Sequence, residues 1–239
     1  MILKVFLYVT DTVNFFGYKI DSLLGNLGGD KMVKQFVELL KEKRIFRWNR
    51  KSVDTKALAI LIYQAGLSYR KTKKILNLLE NLSHESVRKW YKKCKGLFDV
   101  KRRARRAVAV DETKVKIENN QIYIWNAIDV DDRSILAVHV SSSRTSFDAI
   151  YFLKKVLERC ENKPLVLVDR GPWYRFALER LGLEYKHQKF GERNAIDQWY
   201  GLLKARLKSF WKRFPYHSSL QSVKNWIIAW CAIYNLLWR

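Results

Sequence analysis

The sequence is poor in cysteine, in proline and in acidic residues. Its three cysteines, Cys94, Cys160 and Cys231, lie far apart and form no CxxC pair. This argues against a disulfide framework and against a zinc site, and it fits the reducing cytoplasm. Long apolar runs are also missing. The start MILKVFLYV and the segment WIIAWCAIYNLLW are too short to cross a bilayer, and the start has no signal-peptide cleavage pattern. We therefore expect no membrane partner.

Basic and aromatic residues are abundant instead. The chain has 46 Lys and Arg against 23 Asp and Glu, a formal net charge of +23, with 9 Trp, 12 Tyr and 12 Phe among its 239 residues. Residues 1–106 carry 25 Lys and Arg against 9 acids, a net of +16, and residues 107–239 carry 21 against 14, a net of +7. Such a charge repels itself in a compact fold, which favours a polyanionic partner, with nucleic acid the leading candidate. A merely basic protein is the alternative.

Residues 51–100 contain three short helical segments, preceded by an N-terminal extension, residues 1–50, that we leave without a role. Ser68 and Ser83 stand where N-caps of the second and third helices belong. Three helices with a basic last one predict a helix-turn-helix, whose final helix enters the major groove of DNA. The predicted DNA-binding residues of that helix are Arg88, Lys89, Lys92 and Lys93. A plain helical bundle with solvated lysines is the alternative.

A basic linker, KRRARR at 101–106, separates this domain from a region of different periodicity. Residues 107–214 alternate β-branched runs with helical segments: three strands, a helix, a strand, a helix, a short strand and a helix that we expect to reach Phe214. That order predicts a mixed α/β sheet of the ribonuclease-H-like kind, preceded by the all-α helix-turn-helix domain. The linker residues predicted to contact DNA phosphates are Arg102, Arg103, Arg105 and Arg106.

Residues 215–239 are predicted to form a C-terminal helix with an aromatic stripe. The stripe consists of Trp226, Ile227, Trp230, Tyr234 and Leu237. It could supply a contact between two copies of the chain, or it could close the core of a single copy.

Two predicted strands end in an aspartate: Asp111 follows AVAV and Asp169 follows LVLV. A carboxylate at the tip of a buried strand is held rigidly at the edge of the sheet, where ligands commonly bind. A third acid, Asp197, lies on a predicted helix and shares a face with Tyr200, Gly201, Lys204 and Lys208. An acid at one end of a basic stripe suits a metal site beside a phosphate track, for which Lys204 and Lys208 are the candidates. Each acid alone could equally be a turn or cap residue.

At this point the chain resembles a known family. The segments LSYRKTKKILNLLENLSHESVRKWYKK, VAVDETKVKIENNQIYIWNAIDVDDRSILAVHVS, LVLVDRGPWY and ERNAIDQWYGLLKARLKSF resemble DDE-type insertion-sequence transposases, especially archaeal members of the family numbered six. They occur in the family's order over about residues 50 to 215. The D-E-T after a strand and the RNAxxQWxxxLKxR helix carry most of the specificity.

The resemblance implies a metal-dependent transposase acting on DNA. Its first two catalytic aspartates fall on Asp111 and Asp169, and its last acid, normally glutamate, falls on Asp197, which is one methylene shorter. Three carboxylates suit Mg²⁺, for which Mn²⁺ can substitute, and a pair of such ions about 3.5–4 Å apart supports in-line phosphoryl transfer. We expect Glu112 to be a surface charge, because it follows Asp111 on the strand and faces the other side. Glu192 is the alternative third acid.

The expected partners are double-stranded DNA, as element ends and as target, and a second copy of the chain, since joining two ends calls for two active sites. No nucleotide cofactor is expected, and the protein should be a prokaryotic, cytoplasmic, nucleoid-associated one. A ribonuclease-H-like nuclease is one rival, against which the predicted recognition helix speaks. A non-catalytic DNA-binding protein derived from a transposase is the other, and the aspartate at position 197 favours it.

Overall fold

The computed structural model describes residues 29–47, 50–188, 191–208, 213–214 and 218–237. The expectations for residues 1–28 lie outside these ranges. The chain divides into two compact units. One contains the described residues up to Phe98 and those of the C-terminal helix from Ala229 onward, and the other contains the described residues of Asp99–Ile228. Among the described helices, none is both long enough and apolar enough to cross a membrane.

The first unit is helical. Its elements are α1 (Gly29–Glu42), α2 (Val53–Gln64), α3 (Tyr69–Leu76), α4 (His84–Lys93) and a short 3₁₀ helix, Cys94–Leu97. Both predicted N-caps are present: the Ser68 hydroxyl accepts from the Lys71 amide at 3.2 Å and the Ser83 hydroxyl accepts from the Ser86 amide at 3.0 Å. These bonds satisfy amides that a helix start leaves unpaired, so each helix begins where its serine stands.

Helix α2 forms the centre of this unit. Its residues from Thr55 to Tyr63 are all buried. The Tyr63 ring stacks on Tyr69, with centroids 4.0 Å apart, and meets the edge of Tyr91 at 4.5 Å. A helix that is apolar all round requires cover on every side, and α3 and α4 supply part of it.

The second unit is built on one sheet. Its strands are β1 (Ala107–Ile117), β2 (Asn120–Asp129), β3 (Ile135–Ser141), β4 (Leu165–Val168), β5 (Tyr185–His187) and β6 (Arg213–Phe214). Its helices are α5 (Ser146–Leu157), α6 (Pro172–Leu181), α7 (Asn194–Lys208) and α8 (Leu220–Leu237), with a 3₁₀ turn at Gly191–Arg193. Helix α8 continues into the first unit.

The strand order is β3-β2-β1-β4-β5, and β6 also pairs with β1. Strands β1, β2 and β3 form an antiparallel meander, and β4, β5 and β6 run parallel to their neighbours. The predicted mixed α/β fold of the ribonuclease-H-like kind is confirmed. The meander turns where Glu118 and Arg133 adopt positive φ values of 54° and 61°.

Helix α5 is capped by Thr145, because Thr145 and Asp148 bond to each other's backbone amides in a capping box. One local prediction fails for an identifiable reason. Phe214 is not helical, because β6 pairs with the end of β1, Ile117 opposite Phe214. Tertiary pairing here overrides the helical pattern of the sequence. Helix α6 ends at Gly182, whose φ of 61° places it in the left-handed region.

Candidate active site

Asp111 lies within β1, and Asp169 directly follows β4, the parallel neighbour of β1. The expectation that Asp111 ends its strand is wrong, because β1 continues to Ile117 through its pairing with β2 and β6. Ala109 pairs with Leu167, so Asp111, two residues further, is level with Asp169 just beyond the end of β4. The two carboxylates are close enough for the charge of Asp169 to raise the pKa of Asp111. The Asp169 carboxylate accepts from the Gly171 amide at 2.9 Å, and its backbone carbonyl lies 3.0 Å from Nδ1 of His187.

The Asp111 side chain is largely buried, with 15% of its surface exposed. Burial raises the pKa of Asp111 to about 7, against the opposing effect of the Arg193 guanidinium, whose Nη2 is 2.9 Å away. Behind it, the Tyr200 hydroxyl donates to the backbone carbonyls of Asp111 at 2.7 Å and of Ile124 at 3.0 Å. Helix α7 is therefore bonded to the sheet at β1, the strand of Asp111.

Asp197 lies in the first turn of α7 and is joined to Asp111 through one arginine. Arg193 contacts Asp111 with one terminal nitrogen and, with the other, lies 3.4 Å from the Asp197 carboxylate. Arg193 is only 6% exposed, and sequence reasoning does not select it. Its position four residues before Asp197 is the signal that could have found it, since residues at that spacing are neighbours on a helix. In the described part of the chain, no three His, Cys, Asp or Glu side chains stand close enough together to hold a metal ion as placed.

Glu112 differs from its prediction as a surface charge. Its side chain is 4% exposed and faces the side of the sheet opposite Asp111. The Tyr174 hydroxyl donates to it at 2.9 Å, the Trp173 indole at 3.3 Å and the Arg144 guanidinium at 3.4 Å. Burial raises the pKa of Glu112, and the bonds from Tyr174 and Trp173 act in the opposite direction.

The stripe predicted on α7 is only partly at the surface. Asp197, Gly201 and Lys204 are exposed, whereas Tyr200 is buried in its bonds to the sheet. The side chain of Lys208 lies outside the described part. Lys204 therefore remains available near the acid.

The basic run is mostly paired with acids of the β2–β3 turn rather than with Asp111 and Glu112. Arg103 contacts Asp129 and Asp132, and Arg106 contacts Asp131 and, in addition, Glu192. Arg102 is exposed and donates to the Cys160 carbonyl. Exposed fractions of 49% and 55% leave the Arg103 and Arg106 side chains partly open to solvent.

Arg105 contradicts its prediction as a DNA contact. The residue is 4% exposed, and its guanidinium bonds to the buried Asp129 carboxylate and to the backbone carbonyls of Lys101 and Arg159. A guanidinium with these partners does not reach a phosphate. Arg105 stands two residues before β1, and Asn162 bonds to both its backbone amide and its backbone carbonyl.

We expect Arg105→Ala to lower the free energy of unfolding by about 3–5 kcal/mol, because the buried Asp129 charge loses its buried partner and keeps only the half-exposed Arg103. Arg106→Ala, which removes an exposed ion pair in the same run, should cost little, because solvent screens such pairs. Urea denaturation of both variants measures the difference. Equal losses of unfolding free energy in the two variants would mean that the Arg105–Asp129 ion pair does not stabilise the fold as a buried pair.

The residues predicted for the recognition helix lie on α4. Lys89 and Lys93 are exposed. Arg88 is half-buried and paired with Glu85 one turn earlier, and burial lowers the pKa of the half-buried Lys92.

Comparison with known proteins decides the family. The sequence profile of a DDE domain, of the IS240 transposase type, matches residues 105–238, more than half of the chain. The chain belongs to the DDE-type insertion-sequence transposases. It is also 43% identical over 204 residues to an uncharacterised protein of Methanocaldococcus jannaschii, covering 83% of this chain and 95% of that protein. The transposase for insertion sequence element IS257 in transposon Tn4003 of Staphylococcus aureus is 25% identical over 148 residues, 59% of this chain and 66% of that one.

Among solved structures, the integrase catalytic core domain of HTLV-2 in complex with magnesium is similar, with a TM-score of 0.35 and 14% identity. The match covers 45% of this chain and 84% of that one. The matching profile shows membership of the DDE family, and this membership implies that the substrate is DNA. The reaction is DNA cleavage and transfer, which is a phosphoryl transfer.

Proposed function

We propose that the chain is an active transposase that binds the terminal repeats of an insertion sequence and cuts and joins their ends with divalent metal. The observation that supports this best is the level placement of Asp111 and Asp169 on adjacent parallel strands. Asp197 is the third acid of the proposed set, and Arg193 contacts both Asp197 and Asp111. The family resemblance implies catalytic acids at these three positions, with glutamate the usual residue at the third.

The donor set fits Mg²⁺. Asp111, Asp169 and Asp197 offer only carboxylate oxygens, which a hard cation prefers. Arg193 already places a positive charge between two of the three acids, which marks the position as one that favours cations. When bound, two such ions supply charge stabilisation to the attacking and leaving oxygens of an in-line displacement, and Mn²⁺ can replace Mg²⁺.

The protein's own residues supply position and charge around the phosphate. The sheet fixes Asp111 and Asp169 on rigid strands, and Tyr200 fixes α7 against the strand of Asp111. Lys204, exposed on α7 beyond Asp197, is placed to contact a phosphate of the DNA strand. A water molecule is the nucleophile for cutting, and a DNA 3′-hydroxyl is the nucleophile for joining.

We propose that α2, α3 and α4 form the helix-turn-helix that reads the element ends. The order of three short helices and the exposed cations Lys89 and Lys93 on the last one support this. Arg88 and Lys92 are half-buried and lie beside these lysines, where they can contact phosphates at the border of the surface.

Replacing Lys89 and Lys93 together by Ala should weaken binding to end DNA, and the slope of log K against log salt should fall by about 0.9 for each phosphate that the variant no longer neutralises. The measurement is a salt series of fluorescence anisotropy. Arg180→Ala, which removes an exposed cation from α6, serves as the control for loss of surface charge elsewhere. An unchanged slope in the double variant would show that α4 presents only a solvated face.

We further propose that two copies assemble on DNA, because joining two ends to one target needs two active sites. The stripe on α8 is not free for this contact: Trp226, Ile227, Trp230 and Tyr234 are all less than 9% exposed within the single chain. The stripe therefore supports the other expectation, that it closes the core, and the dimer contact must use other residues.

The deciding experiment is a strand-transfer assay with labelled element ends, target DNA and Mg²⁺. Joined products that need both the end sequence and the metal support the proposal. Binding of ends without cleavage in Mg²⁺ and in Mn²⁺ would leave only a DNA-binding protein. Light scattering of the end complex gives its stoichiometry.

A further inference from the structure

Glu112 is a buried carboxylate that the catalytic set does not use. Its three hydrogen-bond donors come from two separate parts of the chain: Arg144 from the loop after β3, and Trp173 and Tyr174 from the first turn of α6. Desolvating a carboxylate is costly unless such donors replace its water. The arrangement therefore ties the start of α6 to the catalytic strand.

The start of α6 is also where Asp169 is held. The Gly171 amide donates to the Asp169 carboxylate at 2.9 Å. A Cβ at Gly171 would lie 2.7 Å from the Trp173 ring and 3.0 Å from the same carboxylate oxygen, so only glycine fits between them. Gly171 therefore lies between the Trp173 ring and the Asp169 carboxylate, and its amide, one residue before α6, is the group that holds that carboxylate.

Trp173 is fixed on its edge and on its face. Its indole nitrogen donates to Glu112, and the guanidinium carbon of Arg144 lies 3.8 Å from its ring centroid. Arg144 also lies 5.3 Å from the Tyr123 ring and contacts Glu112 itself. Stacked cations of this kind stabilise an aromatic ring in one orientation.

We propose that Glu112 is a positioning residue of the active site: through Trp173 and Tyr174 it fixes the first turn of α6 and so holds Asp169 level with Asp111. Strand β1 then carries the proposed catalytic acid Asp111 on one face. The next residue, Glu112, lies on the other face and positions the second proposed acid, Asp169. The role rests on the proposed function, because it assigns Asp169 to the catalytic set. It gives the glutamate directly after Asp111 a task in the reaction without contact to DNA or metal.

The test compares Glu112→Ala, Glu112→Gln, Tyr174→Phe and the double variant with Ala at 112 and Phe at 174. Loss of a group that orients a metal ligand costs about 10–100-fold, and we expect kcat for strand transfer to fall by that factor in Glu112→Ala, with KM for end DNA unchanged. Glu112→Gln should keep more activity, because its carbonyl oxygen still accepts from Tyr174. The double variant should have the same kcat as Glu112→Ala, since both changes remove the same Tyr174–Glu112 hydrogen bond.

Glu179→Gln is the matched control, because Glu179 is an exposed acid on the same helix, paired only with Arg175 in the described structure. Hydrogen exchange of the metal-free, DNA-free variants gives a readout that needs no activity. Amides of residues 169–175 should exchange faster in Glu112→Ala and Tyr174→Phe and not in the control. This result stands even if the wild type transfers no strands, so failure of the proposed function and failure of the positioning role are distinguishable.

Wild-type exchange at residues 169–175 in both Glu112→Gln and Tyr174→Phe, together with wild-type kcat wherever activity exists, would overturn the proposal. These two variants keep the side-chain volume, so they decide the matter if Glu112→Ala does not fold. Equal effects in Glu179→Gln would also overturn it, because a general loss of stability would then explain the result.

Discussion

We expect Asp111→Asn to reduce strand transfer by about a thousandfold or more while leaving end binding intact. The charge stabilisation that metal supplies at a phosphoryl centre amounts to several kcal/mol, and each 1.36 kcal/mol is about a factor of ten in rate. Asparagine keeps the shape of the side chain but removes the charge that holds the cation. The basic surfaces of the chain are unchanged, so DNA affinity is retained.

Two measurements check this result: anisotropy of labelled ends for binding, and product formation in Mg²⁺ for chemistry. Asp169→Asn should behave in the same way. Asp131→Asn, an exposed acid paired with Arg106, is the control and should transfer strands normally. Cleavage by purified Asp111→Asn or Asp169→Asn at the wild-type rate would remove these residues from the catalytic set.

We expect Asp197→Ala to abolish activity and Asp197→Glu to preserve or raise it. Asp197 stands at the start of α7 with 48% of its side chain exposed and its carboxylate 3.4 Å from Arg193. It is one methylene shorter than the glutamate usual in the family. The longer side chain restores that reach without changing the charge, so the Glu variant should work at least as well as the wild type.

The wild type and both variants are compared in Mg²⁺ and in the more permissive Mn²⁺. Glu192→Ala is the control, because Glu192 is bonded to Arg106. Activity that survives Asp197→Ala and disappears in Glu192→Ala would make Glu192 the third acid. A common low level in all variants, with DNA binding intact, would favour the non-catalytic DNA-binding protein.

Local patterns in the sequence predict the elements that carry the site. Alternating and wholly apolar runs predict β1 to β4. The aspartates that follow AVAV and LVLV are the candidate site residues Asp111 and Asp169. Serine caps give the starts of α3 and α4. Each of these depends on residues within a few positions of one another, which is the range over which backbone hydrogen bonding and side-chain periodicity act.

The missed features depend on residues distant in sequence. The sequence pattern predicts Glu112 at the surface, and this prediction is wrong. Its donors Trp173 and Tyr174 stand 61 and 62 positions later and cover Glu112 only in the folded chain. The pattern also predicts that Arg105 faces DNA, but its partner Asp129 is 24 positions away. A charged residue is buried only where folding brings hydrogen-bonding or oppositely charged partners next to it, and a single sequence does not show those tertiary contacts.

Arg193 gives the site a resident counter-ion. Its guanidinium lies between Asp111 and Asp197, so the folded chain neutralises part of its own acidic cluster before any cation arrives. At the proposed metal site, cation uptake would then exchange one positive charge for another. The apparent affinity for the cation would be the difference between the free energies of the two pairings, and the buried Asp111 carboxylate would be compensated before and after the exchange.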